Sequence, residues 1–255
     1  MNILLVTPGE FSEGLPEEDH RVKHIRKVLR ASAGDFVWVG IIGGPKILSE
    51  LKPRSAGGFS FKRIKEEESL SLFPVTLLTG AVRPVVMKRI IRNTAMMGLE
   101  ALWVCKTERS EKSYLRSSLW NPGGIEPYLA AGASQGVTTR IPEVRKFRNL
   151  EDAASNTGNA DFRVFLDNYG PSIPLKDAVP PGADSSVIAV GSERGWSDPE
   201  RQILEREGFI SASLGPMVLS TEAACTAGPM LLLSSLGLLG CSKSRSTPSV
   251  IKKRP

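Results

Sequence analysis

The sequence predicts an α/β protein in two parts: a small antiparallel β domain over residues 1–72, then a larger domain over 73–240 built on a parallel sheet with helices on both faces. Three observations lead there. The first seventy residues hold short alternating runs, 36-FVWV-39 and 59-FSFKRI-64, among Gly40, Gly43, Gly44, Pro45, Gly57 and Gly58, as small antiparallel sheets do. From residue 75 the pattern changes to apolar runs: 75-VTLLTGAV-82, 101-ALWVC-105, 162-FRVFLDN-168, 187-VIAVG-191 and 209-FISASLG-215, most of them followed by a helical stretch. Runs of that length alternating with helices read as strands buried on both faces. The third observation is the acidic, serine-rich 66-EEESLSLF-73 between the two patterns, which reads as a boundary.

The elements follow in order. The start, MNILLVTPGEF, has no basic n-region and no long apolar h-region. In 20-HRVKHIRKVLR-30, Val22, Ile25 and Leu29 stand at helical spacing with basic residues between them, an amphipathic helix with a positive outer face. Over 84–98 a second helix sets Lys88 and Arg92 on one face, with Arg89 nearby, against Val86, Ile90 and Met97. That face is either an ordinary solvated one or a phosphate contact. The loop 191-GSERGWSDPE-200 places Ser197 three residues before Glu200, a capping box that opens the next helix. In 213-SLGPMVLSTEAACTAG-228, Ser220 or Thr221 caps a helix whose first turn carries Glu222. The tail over 241–255 is basic, contains Ser and Pro, lacks apolar periodicity and reads as disordered.

Composition narrows the function. The chain has 255 residues, and 33 Lys plus Arg against 27 Asp plus Glu give a net charge of +6. A polyanionic partner fits, as does a basic enzyme of small anionic substrates. Cys105, Cys225 and Cys241 lie far apart with no C-x-x-C pair, which suggests neither a disulfide framework nor a zinc site. No metal is expected. The apolar run from Met230 to Leu239 is shorter than the roughly 20 residues that span a bilayer, so a cytoplasmic protein without membrane attachment is expected.

Ligands of parallel sheets sit beyond the carboxyl ends of the strands, so the two post-strand loops matter most. In the first, Gly191 and Gly195 flank Glu193, which either lets backbone approach a ligand or makes a plain tight turn. In the second, Met217, Val218 and Leu219 follow Gly215-Pro216 and suit either an adenine held by backbone or a buried connection.

On these residues the chain resembles a known family. GSERGWSDPE and SLGPMVLSTEAA are similar to the G-P-E-G-G-F-S-x-x-E and L-G-x-R-I-L-R-x-E-T-A signatures of RsmE-type ribosomal RNA methyltransferases, members of the SPOUT class. His24-Ile25-x-x-Val28-Leu29-Arg30-x-x-x-Gly34-Asp35 is similar to its H-L-x-x-V-L-R-x-x-x-G-D, 107-TERS-110 resembles its T-E-R-S, and Gln135, Arg140 and Pro142 match part of its E-Q-x-x-R-x-x-x-P. The resemblance spans about residues 1 to 240. It implies a PUA-like β-barrel before an α/β domain with a C-terminal trefoil knot, which periodicity could not show because chains ordinarily do not thread loops. It also implies a homodimer, S-adenosylmethionine bound in the knot, and methyl transfer to N3 of a uridine in small-subunit (16S) ribosomal RNA. Carried over by position, the cofactor would meet Leu166, Gly191, Glu193, Gly195, Leu214, Gly215, Val218, Leu219 and Thr221.

The departures from the family concern catalysis. Ser192 and Arg194 stand where it has Pro and Gly, and Met217 and Ser220 stand where it usually has arginines. Removing the N3 proton puts negative charge on the ring, which a nearby cation stabilises, and Arg194 could supply one. No residue stands out as a general base, with Glu222, Glu193 and solvent hydroxide all open, and Glu222 and Arg194 are the candidate catalytic residues. Ala131 and Ser134 replace common acids and Thr138 a common Arg, so change concentrates around the expected catalytic face. Arg21, Lys23, Arg26, Arg30, Arg109 and Arg140 are the candidate RNA contacts, by neutralising phosphates. His20 and His24 read as structural or RNA-facing. Trp38, Trp103, Trp120 and Trp196 read as core or interface residues, and Trp196 stands beside the expected pocket where the family has Phe. Two alternatives stay open: a non-catalytic RNA-binding or ribosome-assembly paralogue, and a methyltransferase of the same fold with a different RNA target.

Overall fold

The computed structural model describes residues 2–170 and 172–240. The basic tail expected to be disordered lies outside them, as does Cys241. The described chain falls into two compact units, residues 2–71 with 133–141, and 72–132 with 142–240.

In the first unit, β1 (Leu4–Val6) precedes α1 (Pro8–Glu13) and α2 (His20–Lys27), and then β2 (Phe36–Ile41), β3 (Lys46–Pro53) and β4 (Phe59–Glu67) complete a sheet of order β1-β2-β3-β4. β1 pairs parallel with β2 and the other neighbours are antiparallel. Local chemistry sets the helices: Thr7 and Glu10 form a capping box at α1, and Asp19 accepts from the Arg21 N–H at the start of α2. α2 turns Val22 and Ile25 onto a core with Leu4, Val6, Val37, Val39, Leu51, Phe59 and Phe61. Burial of each such side chain contributes about 1.5–3 kcal/mol.

Residues 133–141 join this unit through polar contacts. Ser134 Oγ donates to Ile3 O, Asn2 Nδ2 donates to Gln135 O at 2.8 Å, and Gly43 N donates to Thr139 O at 2.9 Å. Of the three departures read around the expected catalytic face, Ser134 and Thr138 are buried in the first unit, and Ala131 is exposed in the second.

The second unit runs β5 (Phe73–Gly80), α3 (Pro84–Met97), β6 (Leu99–Cys105), two 3-10 turns (Tyr114–Arg116 and Ser118–Trp120), α4 (Glu126–Gly136), β7 (Glu143–Phe147) and α5 (Leu150–Ser155). It continues with β8 (Phe162–Leu166), β9 (Ile173–Pro174), α6 (Leu175–Ala178), β10 (Ser186–Val190), α7 (Asp198–Arg206), β11 (Ile210–Ser213) and α8 (Thr221–Ser235). Its seven strands stand in the order β7-β6-β5-β10-β8-β11-β9, and every neighbouring pair is parallel. The α/β class with a parallel sheet is therefore as expected. The five apolar runs are β5, β6, β8, β10 and β11. The sequence missed β7 and β9 because both are edge strands, held on one side only, so neither needs an apolar run.

Two close fits test this architecture. A Cβ on Gly132 of α4 would lie 2.1 Å from Arg92 O of α3, so only glycine lets the two helix backbones meet there. Gly132→Ala is expected to destabilise the protein by ~1–3 kcal/mol, measured as a fall in denaturant midpoint. In the first unit, all five Arg21 side-chain N–H groups are engaged: Nε with Asp19, Nη1 with Leu5 O and Glu10, and Nη2 with Glu10 and Asp19. The Arg21 guanidinium, through its hydrogen bonds, holds the Glu10 and Asp19 carboxyls below their ordinary range. Lowered carboxylate pKa values contribute stability that is present above the unfolded values and lost as pH falls through the folded ones. Denaturation of the wild type should therefore ease as pH falls below about 4, and Arg21→Met should flatten that part of the profile.

Candidate functional site

β10, β8 and β11 lie side by side in register, Val190 opposite Leu166 and Leu166 opposite Ala212. Their carboxyl ends finish level, so the loops after them converge on one edge of the sheet. The first loop folds tightly on itself: Ser192 bridges Gly195, Gly195 N donates to Ser192 O at 2.9 Å, and Gly195 takes φ +66°. A Cβ on Gly191 would stand 2.9 Å from Gly195 Cα, which is why that position is bare. Trp196 packs beneath the loop, 1% exposed, with Nε1 donating to Leu166 O at 3.2 Å. It is a core support rather than a pocket wall. The loop then enters α7 through the capping box, Ser197 accepting from Glu200 N and the Glu200 carboxylate accepting from Ser197 N.

These loops enclose a cavity. Of the residues assigned to the cofactor by sequence, Leu166, Gly191, Glu193, Gly195, Leu214, Val218, Leu219 and Thr221 line it, together with Arg194. Gly215 does not. At φ +122° it makes the turn that sends 217–219 to the cavity. Glu193 also acts outside the cavity, because its Oε1 accepts the Arg83 N–H at 3.0 Å. It thereby caps α3, whose own N-cap residue makes no side-chain capping bond. Glu222 lies outside the lining. In the first turn of α8, it faces α3 and pairs with Arg89 Nη1 at 3.1 Å, so the structure does not bring Glu222 and Arg194 together at the cavity.

Sequence reasoning overlooked Asp167, Asn168, Tyr169 and Ser192, which also line the cavity. Asp167 Oδ1 accepts from the Asn168 and Tyr169 amides, and its carboxylate pairs with Arg201 of α7. That pair shapes the third wall and raises the Arg201 pKa further. The signal available was an Asp directly after an apolar strand. Ser192 is 3% exposed, and its Oγ has no hydrogen-bond partner among the described residues. Met217 and Val218 are 75% and 72% exposed, so the cavity offers uncovered apolar side chains beside an orphaned hydroxyl and glycine backbone. That mixture fits a nucleoside ligand with an apolar and a polar side. Burial pushes the thiols of Cys105 and Cys225 up, the second to about 12, which makes both poor nucleophiles.

The candidate RNA contacts separate. Arg21 is a correction: with every side-chain donor engaged by protein acceptors it is a structural ion-pair centre, not a phosphate contact. Arg26 pairs with Glu17 and stacks 5.3 Å over Phe59. Lys23, Arg30 and Arg140 are exposed, and Arg30 stands at φ 50° where the chain leaves α2. Arg109 is exposed, with Nη1 donating to Arg194 O at 2.9 Å. His24 is partly buried, its Nε2 is without a partner among the described residues, and burial lowers its pKa. A neutral structural histidine fits. Among the described residues no group of three or more potential ligands could hold a metal, and no helix is long and apolar enough to cross a membrane.

A parallel α/β sheet whose strand-end loops fold a glycine turn against an apolar bend defines a protein suited to holding a nucleoside-containing ligand at its sheet edge. The RNA methyltransferase domain family matches residues 68–232. Ribosomal RNA small subunit methyltransferase E 1 of Borreliella burgdorferi is 31% identical over 240 residues, covering 92% of this chain and 99% of that protein. The Treponema pallidum ribosomal RNA small subunit methyltransferase E is 32% identical over 246 residues, covering 92% of each. The chain belongs to this methyltransferase E family of RNA methyltransferases. Among solved structures, the Neisseria gonorrhoeae ribosomal RNA small subunit methyltransferase E bound to S-adenosyl methionine shares the fold at TM-score 0.71 and 20% identity, covering 86% of this chain and 90% of that one. A Legionella pneumophila protein in complex with the same cofactor gives TM-score 0.72 at 20% identity, covering 91% and 98%.

Gly191→Ala should force the first loop open, costing ~1–3 kcal/mol in stability. Thermal unfolding of the variant beside the wild type measures the effect.

Proposed function

We propose that this RNA methyltransferase transfers a methyl group from S-adenosylmethionine to N3 of a uridine in small-subunit (16S) ribosomal RNA, acting as a homodimer in the cytoplasm. The observation that carries the reading is the cavity. The loops over 191–200 and 213–221, the two that match the family signatures, converge on one space, and every residue that the resemblance assigned to the cofactor lines it except Gly215.

The residues present fit the cofactor. Ser192 Oγ is a buried polar atom without a partner among the described residues, and the glycines keep the first loop open to close approach. Bound S-adenosylmethionine supplies an electrophilic methyl group on a sulfonium, already a good leaving group, so the chain's work is alignment and charge. Gly191, Gly195 and Ser192 would hold the polar side of the cofactor, and Met217, Val218 and Leu219 would cover its apolar side and exclude water. Arg194, lining the same cavity, would face the negative charge left on the uracil ring when the N3 proton passes to solvent hydroxide. Its backbone is steadied by Arg109. Glu222 holds Arg89 at the first turn of α8 and is assigned a positioning role rather than that of general base.

Exposed apolar residues on α3 (Val85, Met96) and α8 (Met230, Leu231) support the homodimer, since α3 and α8 pack side by side and would offer one continuous face. The C-terminal knot and the PUA-like character of the first unit are part of the same proposal. A second reading, a different target nucleotide, draws on Met217 and Ser220, which replace two arginines of the family signature.

Incubating the protein with isotopically labelled S-adenosylmethionine and small-subunit RNA, then digesting the RNA for mass spectrometry, should give labelled 3-methyluridine. Label on another nucleoside would support the second reading. Cofactor binding without any RNA methylation would remove the enzymatic proposal.

A further inference from the structure

Many cations are matched to a carboxylate: Arg21, Arg26, Lys46, Lys52, Arg63 and Lys65 in the first unit, and Arg89, Arg201 and Arg206 in the second. A different arrangement stands at the carboxyl ends of β5, β6 and β7, which finish level with Gly80 opposite Cys105 and Cys105 opposite Phe147. There, Lys146 Nζ lies 5.3 Å from the centre of the Trp120 ring, and Trp120 is fixed in turn by Nε1 donating to Tyr114 O at 3.0 Å. Tyr114 and, less strongly, the charge of the Glu193 carboxylate raise the Arg83 pKa, but no ion pair with Arg83 forms among the described residues. Arg109 is held by a carbonyl, and Lys106 is exposed without an ion pair among the described residues.

An aromatic ring or a carbonyl orients a cation without cancelling its charge, whereas a carboxylate in contact largely does. The cations at this edge therefore keep their charge available for an anion. They also adjoin the cavity: Arg83 N bonds to Glu193 and Arg109 bonds to Arg194 O, and both partners line it. We propose that Arg83, Lys106, Arg109 and Lys146 form a phosphate-binding shelf for the RNA substrate, and that this shelf, rather than the carboxylate-paired cations of the first unit, supplies the larger share of the salt-sensitive part of RNA binding. The inference rests on the methyltransferase reading and adds where the RNA backbone lies. A strand on the shelf would present its base to the neighbouring cavity.

Fluorescence anisotropy with a labelled fragment of small-subunit RNA, across a salt series, tests this. Each phosphate contact on a single strand contributes about 0.7 to the slope of log affinity against log salt. A variant combining Arg83→Gln, Lys106→Gln and Lys146→Gln should lower that slope by roughly 2. The counterpart combining Arg26→Gln, Arg63→Gln and Lys65→Gln, each paired with a carboxylate, should leave it nearly unchanged. Calorimetry with S-adenosylmethionine on both variants, expected to match the wild type, shows that the cavity is intact. The shelf is overturned if its variant keeps the wild-type slope, and equally if the carboxylate-paired variant loses it instead. A wild type that binds no RNA at all would count against the methyltransferase reading itself, a different failure from either of these.

Discussion

Glu200 is 3% exposed, and its carboxylate meets no cation among the described residues. Oε2 accepts the Ser197 N–H and Oε1 accepts the Glu108 N–H at 2.8 Å. A buried carboxylate needs such donors, because taking it out of water unpaired costs several kcal/mol. Here the requirement fixes geometry. One side chain ties the start of α7 to the loop after β6, so the first cavity loop and the Arg109 segment hold one arrangement. Removing Glu200 would leave two amides without acceptors and would free both loops.

From that tie the rest of the edge follows. Arg109 reaches the Arg194 carbonyl and Ser110 Oγ reaches Ala81 O at 2.8 Å, so the ends of β5, β6 and β10 are linked by polar contacts at the rim while apolar packing holds them below. Trp196 supplies the apolar half of that support, filling space under the glycine turn and bonding to Leu166 O. Rigid loops on a rigid sheet are what methyl transfer asks for, since the reaction depends on alignment more than on acid–base chemistry.

Charge is where local and global readings part. The α2 segment carries the densest basic run of the first unit, yet Arg21 is enclosed by Glu10 and Asp19, which lie 11 and 2 residues away in sequence. Lys146, in contrast, sits in a short strand of no special character and gains its setting from Trp120, which arrives through a different connection. Whether a cation is neutralised depends on what the fold brings beside it, and neither partner's neighbours in sequence declare that.

The parallel α/β class, the five buried strands, the capping of α7 and α8 and the two loops that line the cavity were legible along the chain, because periodicity, caps and glycine turns are encoded within a few residues. Other features were not. Residues 133–141 join the first unit, Glu222 faces Arg89 rather than the cavity, Asp167 and Ser192 belong to the cavity wall, and β7 and β9 are strands at all only because of groups far away in sequence. Edge strands, ion pairs and cavity walls acquire their roles from contacts that exist only once distant segments are packed together.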